Sequence, residues 1–320
     1  MTDQPTQKTV LLFGATGTIG RATLRALVAA GHRVTCFLRH GTHPDLPPGV
    51  AAHHGYVAHP DAVFDTTRFD AVVSCMASRT GMPRDAWAID HDAHQTLLAA
   101  AKSAGVAQFV LLSALCVQQP ELPFQHAKRA FEQTLMDSGL TYSIVRPTAF
   151  FKSLSGQVAR VRGGKPFLLF GDGQLTACKP ISDRDLGHFI TGCLTDPARA
   201  NQVLPIGGPG PAITPLQQAK MLFDLLGQTP HHRRIPVALM DGIIAGLSIA
   251  GRLSPRARDK ADLARIGRYY ATHSMLVWND STDTYEADAT PETGTDHLSD
   301  FYAALIADEA EFDLGDHAIF

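Results

Sequence analysis

The segment Val10–Gly20, VLLFGATGTIG, constrains this chain more than any other. Val10, Leu11, Leu12 and Phe13 make a short apolar run closed by a glycine, the pattern of a buried strand in a parallel sheet. Gly14, Gly17 and Gly20 then fall at the spacing G-x-x-G-x-x-G, and Leu24, Leu27 and Val28 recur at helical intervals. A strand that turns through glycines into a helix can bring its backbone close to a pyrophosphate. The N–H groups around Thr16, Gly17, Thr18 and Ile19 would then face the phosphates, where the helix dipole also favours negative charge. Glycines that merely shape a turn are the competing reading. A second strand at Arg33–Leu38 completes a βαβ unit, so the chain is expected to form a Rossmann-type, doubly wound parallel α/β sheet that binds a dinucleotide.

The end of the second strand indicates which dinucleotide. A carboxylate there would bind the ribose 2′-hydroxyl of NAD, whereas an arginine accommodates the 2′-phosphate of NADP. The strand ends Phe37-Leu38-Arg39-His40, with no carboxylate before Asp45, so Arg39 points to NADPH; a solvated arginine at a strand end is the alternative. Phe69–Cys75 is a further apolar strand, which puts Met76 and Ala77 at the carboxyl edge of the sheet, where they would flank the adenosine half. An ordinary strand-to-loop turn explains them equally well.

With 320 residues the chain can hold the dinucleotide domain, placed at 1–150, and a smaller substrate region at 151–320. A strand near 202–206 is expected to return to the sheet, while Thr214–Leu226 and Val237–Ile249 read as helices of the smaller lobe. A net charge of −3 argues against nucleic acid as a partner. The five cysteines are scattered singly and read as reduced core residues, with no zinc or iron–sulfur spacing. His53, His54 and His59 sit in a Pro- and Gly-rich stretch without partner ligands, and read as loop histidines rather than a metal site. Trp87–Ala104 reads as an amphipathic helix with His91 and His94 among its polar positions. The polar leader MTDQPTQKT leaves no room for a targeting peptide, so a cytoplasmic location is expected. Val237–Ala250 is apolar but broken by Asp241 and glycines; it is too short to span a bilayer and leaves contact with a membrane surface open.

The glycine spacing resembles that of extended and atypical short-chain dehydrogenases/reductases. That resemblance implies a substrate-side serine at Ser113, at the end of the apolar strand Gln108–Ala114, grouped with the residues that hold the cofactor. Where such enzymes carry Tyr-x-x-x-Lys, this chain reads Phe124-Gln125-His126-Ala127-Lys128. Phenylalanine cannot donate a proton, so the usual carbonyl chemistry is not implied. Lys128 remains, as in members related to isoflavone reductase, and the resemblance makes it the catalytic residue that also holds the nicotinamide ribose. A solvated lysine paired with Glu132 one turn on is the alternative. Pro147 closes the next strand, and the resemblance places the segment after it beside the nicotinamide, with Thr148, Phe150 and Phe151 on the substrate side.

Longer runs are more specific. TYSIVRPTAFFKSLSGQ (Thr141–Gln157), GKPFLLFGDGQLTACKPIS (Gly164–Ser182), NQVLPIGGPG (Asn201–Gly210) and IGRYYATHSMLVW (Ile266–Trp278) resemble the NADPH-dependent divinyl chlorophyllide a 8-vinyl-reductase family, which shows the same loss of the tyrosine. The resemblance implies reduction of a vinyl to an ethyl group on a chlorophyllide-type tetrapyrrole in (bacterio)chlorophyll biosynthesis, in the cytoplasm or peripheral to a photosynthetic membrane. A flat macrocycle needs a wide apolar slot, for which Phe124, Phe150, Phe151, Tyr269, Tyr270 and Met275 are candidate walls, core packing being the alternative. An NADP(H)-sensing regulator without turnover and a reductase of another conjugated alkene are the two competing functions.

Overall fold

In the computed structural model, which describes residues 7–307, seven short strands, most of them apolar, form one parallel sheet. The first six residues of the polar leader lie outside the described part. Numbered in chain order, the strands are β1 (Thr9–Phe13), β2 (Arg33–Arg39), β3 (Ala51–Gly55), β4 (Ala71–Ser74), β5 (Gln108–Leu112), β6 (Thr141–Pro147) and β8 (Gln202–Ile206). They lie in the order β3-β2-β1-β4-β5-β6-β8. The order reverses between β1 and β4, which pair through Val10↔Ala71 to Phe13↔Ser74, so the strand ends part there to leave the crevice of a doubly wound fold.

Contacts divide the chain into two compact units, and the sheet belongs to the first, made of the chain through Ser78, Pro83–Pro147 and Asp183–Ile206. On one face Leu11, Phe13, Phe37, Val72, Phe109 and Ile144 form a buried cluster with Leu97 of α3 (His94–Ser103) and Phe131 and Leu135 of α4 (Pro123–Met136). Helices α1 (Thr18–Ala29) and α7 (Asp183–Gly192) pack together, so closely that a Cβ on Gly187 would lie 2.7 Å from the carbonyl carbon of Ala22. Helix α7 falls within the 151–320 stretch expected to serve the substrate, yet contacts assign it to the sheet unit because it packs on α1. The strand expected near 202–206 is β8, which pairs with β6 through Val145↔Leu204.

The segment expected as one helix over 87–104 is two pieces, a π-helical stretch Trp87–Ala93 and α3, preceded by the short α2 (Pro83–Ala86). The i→i+5 closure widens the turns and breaks the α-helical phase on which the polar face was read. His94 is consequently 1% exposed rather than on a polar face.

The second unit gathers Arg79–Met82, Thr148–Ser182 and the chain from Gly207. It holds α5 (Phe151–Leu154), α6 (Val158–Arg162), β7 (Phe167–Phe170), α8 (Pro215–Leu226), β9 (His232–Ile235), α9 (Val237–Ala250), α10 (Pro255–Thr272), a hairpin of β10 (Val277–Asn279) and β11 (Thr284–Glu286), and α11 (Leu298–Ile306). Phe151, Val161, Phe167, Leu169, Leu222, Phe223 and Tyr302 form its core. Helix α8 starts on a reciprocal cap: Gln217 N–H donates to Thr214 Oγ1 (3.3 Å) and Thr214 N–H to Gln217 Oε1 (2.8 Å). It ends at Gly227, φ +62°, in the left-handed conformation that glycine tolerates. Among the described residues no helix is long and apolar enough to cross a membrane.

Candidate cofactor and active site

The glycine turn is built from three different demands. Gly14 has φ +77°, and a Cβ there would stand 2.6 Å from the carbonyl carbon of Cys75, because the turn after β1 lies on the turn after β4. At Gly20 a Cβ would lie 2.0 Å from Gly14 O, so this glycine sets how closely α1 folds back on the loop. Gly17 is different. Its φ is −74°, its N–H donates to Gly14 O at 3.1 Å, and a Cβ would meet only that oxygen, at an ordinary 3.5 Å. Among the described residues nothing requires glycine there. It occupies the N-cap of a helix with no side-chain cap and no acidic residue in its first turn, which leaves donors and positive dipole for a phosphate. The turn therefore fits a dinucleotide, and at Gly17 packing does not account for the missing side chain.

The other expected cofactor residues line up beside it. Arg39 ends β2 and is exposed; Met76 and Ala77 follow β4; Ser113 follows β5; Pro147 ends β6. With Gly14 after β1, these are the carboxyl ends of five neighbouring strands, a row about 19 Å long at the usual strand spacing, long enough for an extended dinucleotide. Thr16, Thr18 and Ile19 lie in the turn and first helical residues, Ile19 being buried. Ser113 N–H donates to Val145 O at 2.8 Å, while its buried hydroxyl has no hydrogen-bond partner among the described residues. Gln125 on α4 likewise keeps an unpartnered, buried Nε2, its Oε1 accepting from the N–H groups of Glu121 and Leu122, both at 2.8 Å. Buried donors left unpaired are costly, and a bound ligand would relieve that cost.

Lys128 is neither solvated nor paired with Glu132. Its Nζ donates to Asp90 Oδ1 at 2.9 Å, with the two side chains 12% and 0% exposed. Glu132 instead forms a two-oxygen pair with Arg146 on β6. Asp90 was not anticipated as part of the site, and it also accepts from Ser78 N–H (3.1 Å) and Ser78 Oγ (2.6 Å). One carboxylate thus ties the loop after β4 to the lysine of α4. A signal for it is visible: Ala86, Asp90, Ala93 and Leu97 recur at helical spacing and are all buried, so a carboxylate interrupts an apolar stripe. The π-helical stretch carries it inward.

Beneath this pair, His94 Nδ1–H donates to Ile89 O at 2.8 Å, leaving Nε2 to accept from Ser74 Oγ at 2.9 Å. Burial, and then the nearby Lys128 charge, pull its pKa from 6.5 down to about 4. The unfolded chain therefore binds the proton more tightly than the folded one between these values, and stability is lost as pH falls through that window. We expect about 3 kcal/mol to disappear between pH 6.5 and 4 on this account. Denaturant titrations of wild type and His94→Gln across that range should show the loss in wild type and a shallower slope in the variant.

The expected substrate residues divide. Phe124 is buried near the start of α4. Phe151, expected as a pocket wall, lies in the core of the second unit against Phe301, with ring centroids 5.6 Å apart. Tyr269 is also core, 2% exposed and stacked on His273 at 4.2 Å. Thr148 is buried, with its hydroxyl donating to Lys179 O. Phe150, Tyr270 and Met275 remain half-buried, with surface to offer a ligand.

A doubly wound sheet with a glycine turn at its reversal point, a row of strand ends beside it and a buried lysine–carboxylate pair defines a nicotinamide-dinucleotide-binding protein of the Rossmann class. A family model described as NAD(P)H-binding matches residues 14–197. The chain is 44% identical to a divinyl chlorophyllide a 8-vinyl-reductase of Cucumis sativus, covering 99% of this chain and 80% of that one. It is 45% identical to the reductase of the same name from Oryza sativa subsp. indica, covering 99% and 83%. The chain belongs to the divinyl chlorophyllide a 8-vinyl-reductase family. Its fold resembles that of isoflavone reductase, with a TM-score of 0.68 over 94% of this chain and 100% of that one, at 18% identity.

Proposed function

We propose that this chain reduces the 8-vinyl group of divinyl chlorophyllide a to ethyl, with NADPH as the hydride source. The observation that carries the reading is identity of 44% with such a reductase over 99% of the chain, together with a site that keeps Lys128 and lacks the phenolic acid of carbonyl reductases. When bound, the cofactor supplies a hydride from its nicotinamide ring to the outer vinyl carbon, and a proton completes the ethyl group at the inner carbon. Negative charge that develops during transfer spreads into the conjugated macrocycle, so no alkoxide has to be protonated and phenylalanine at position 124 is tolerable. Lys128 contributes a fixed positive charge held in place by Asp90, and the glycine turn and strand ends orient the cofactor.

NADPH is favoured over NADH by Arg39, whose guanidinium is exposed at the end of β2 with no carboxylate in that strand. Arg39→Asp is expected to raise KM for NADPH about 10–100-fold, the loss of a charge-assisted hydrogen bond, while that for NADH falls or stays level. Steady-state kinetics with both cofactors reads this directly.

The function itself is tested by incubating the purified chain with NADPH and 3,8-divinyl chlorophyllide a. The blue absorption band should shift, and the product should gain two hydrogens by mass only when NADPH is present. NADPH binding without turnover would overturn the reductase reading and favour a cofactor sensor.

A further inference from the structure

Helix α9 is inverted relative to a water-facing helix. Its two polar side chains turn toward α10, Asp241 pairing with Arg268, and Ser248 Oγ accepting from Arg265 at 2.7 Å. The opposite face carries Leu239, Ile243, Gly246 and Ala250 at helical spacing, continued by Ile249 and, just beyond the helix, Leu253. Exposure reaches 55% at Leu239, 50% at Ile243, 65% at Ile249 and 95% at Leu253, and none of the fourteen residues is buried. A continuous apolar face in water marks a contact surface.

The surrounding charge identifies the occupant. Residues 231–260 carry six Arg or Lys against two Asp, in a chain whose net charge is −3. Arg233 and Arg234 on the exposed β9 precede the helix; Arg252 and Arg256, also exposed, follow it. Apolar helix and flanking arginines together match the two-layer chemistry of an anionic bilayer, acyl chains below and negative headgroups beside them. A second copy of the chain fits less well, because a two-fold contact would set the same basic stretch against itself. Spanning is excluded by length, since fourteen residues reach about 21 Å against a hydrocarbon core of about 30 Å. We propose that α9 lies in the plane of an anionic lipid surface and docks the protein there through Leu239, Ile243, Ile249 and Leu253. The inference is independent of the reaction assigned above.

The test uses the full chain in flotation with vesicles of phosphatidylcholine alone and of phosphatidylcholine with phosphatidylglycerol. Wild type should float with the anionic vesicles and not with the neutral ones, and salt should weaken the association. The triple variant Leu239→Ser, Ile243→Ser, Ile249→Ser should lower the bound fraction by tenfold or more, with an unchanged far-UV spectrum and NADPH binding. Arg252→Ala with Arg256→Ala should abolish the preference for anionic lipid. Failure of wild type to float with either vesicle, or flotation unaltered by the triple variant, would overturn the proposal. So would sedimentation showing a dimer that the triple variant dissociates while vesicles are ignored.

Discussion

Lys128→Ala is expected to reduce kcat for vinyl reduction about 10²–10³-fold, the magnitude found when a preorganised charge or donor is removed from a developing negative charge. The same substitution strips Asp90 of its cation in a place where the carboxylate is fully buried. Breaking one side of such a pair costs about 3–5 kcal/mol, so a simple loss of activity would not distinguish catalysis from unfolding. Two further variants separate them. Asp90→Asn keeps an acceptor for Ser78 but leaves Lys128 without its counter-charge, and should be destabilised with partial activity. Lys128→Met combined with Asp90→Asn removes both charges, so no buried charge is left uncompensated, and keeps an acceptor for the Ser78 donors. The double variant should therefore unfold near the wild-type denaturant midpoint and still lack activity. Activity close to wild type in that folded double variant would show that Lys128 serves the fold alone.

How much of this was legible before the structure depends on how local each determinant is. The glycine turn, β1 and α1 are contiguous, so their spacing alone implied the βαβ unit; the return of the chain to the sheet at β8 was also readable, from a short apolar run at 202–206. The partner of Lys128 was not. At four residues' remove Glu132 was the natural candidate, but β6 brings Arg146 to Glu132, and the π-helical stretch brings Asp90 to the lysine from 38 positions upstream. Such pairings are set by which elements pack, and local spacing does not encode that. The aromatics show the same limit: Phe151 and Tyr269 carry the size and apolarity of pocket walls, yet both fill the core of the second unit. Helix α9 was readable as a helix, but its apolar side could equally have been buried. Only the placement of Asp241 and Ser248 against α10 shows that it faces out.

Gly20→Ala should damage the fold and the cofactor site together. Its Cβ would sit 2.0 Å from Gly14 O and 2.7 Å from Gly14 C, both backbone atoms that no rotamer change can clear. Either α1 moves away from the sheet or the turn after β1 is displaced by about 1 Å or more. Overpacking of this kind costs about 1–3 kcal/mol, and a displacement of that size costs about 100-fold where geometry decides binding. Lower thermal stability and NADPH affinity reduced about 100-fold are expected together, measured by thermal denaturation and cofactor titration. Gly17→Ala supplies the contrast. A methyl group there meets one oxygen at 3.5 Å on a backbone any residue can adopt, so stability should stay within about 1 kcal/mol of wild type. Its cofactor affinity should nevertheless fall by a comparable factor, because the methyl group occupies the space a pyrophosphate would fill. The two glycines therefore separate what the fold needs from what the ligand needs. Unaltered NADPH affinity in Gly17→Ala would remove the helix N-terminus from the cofactor site.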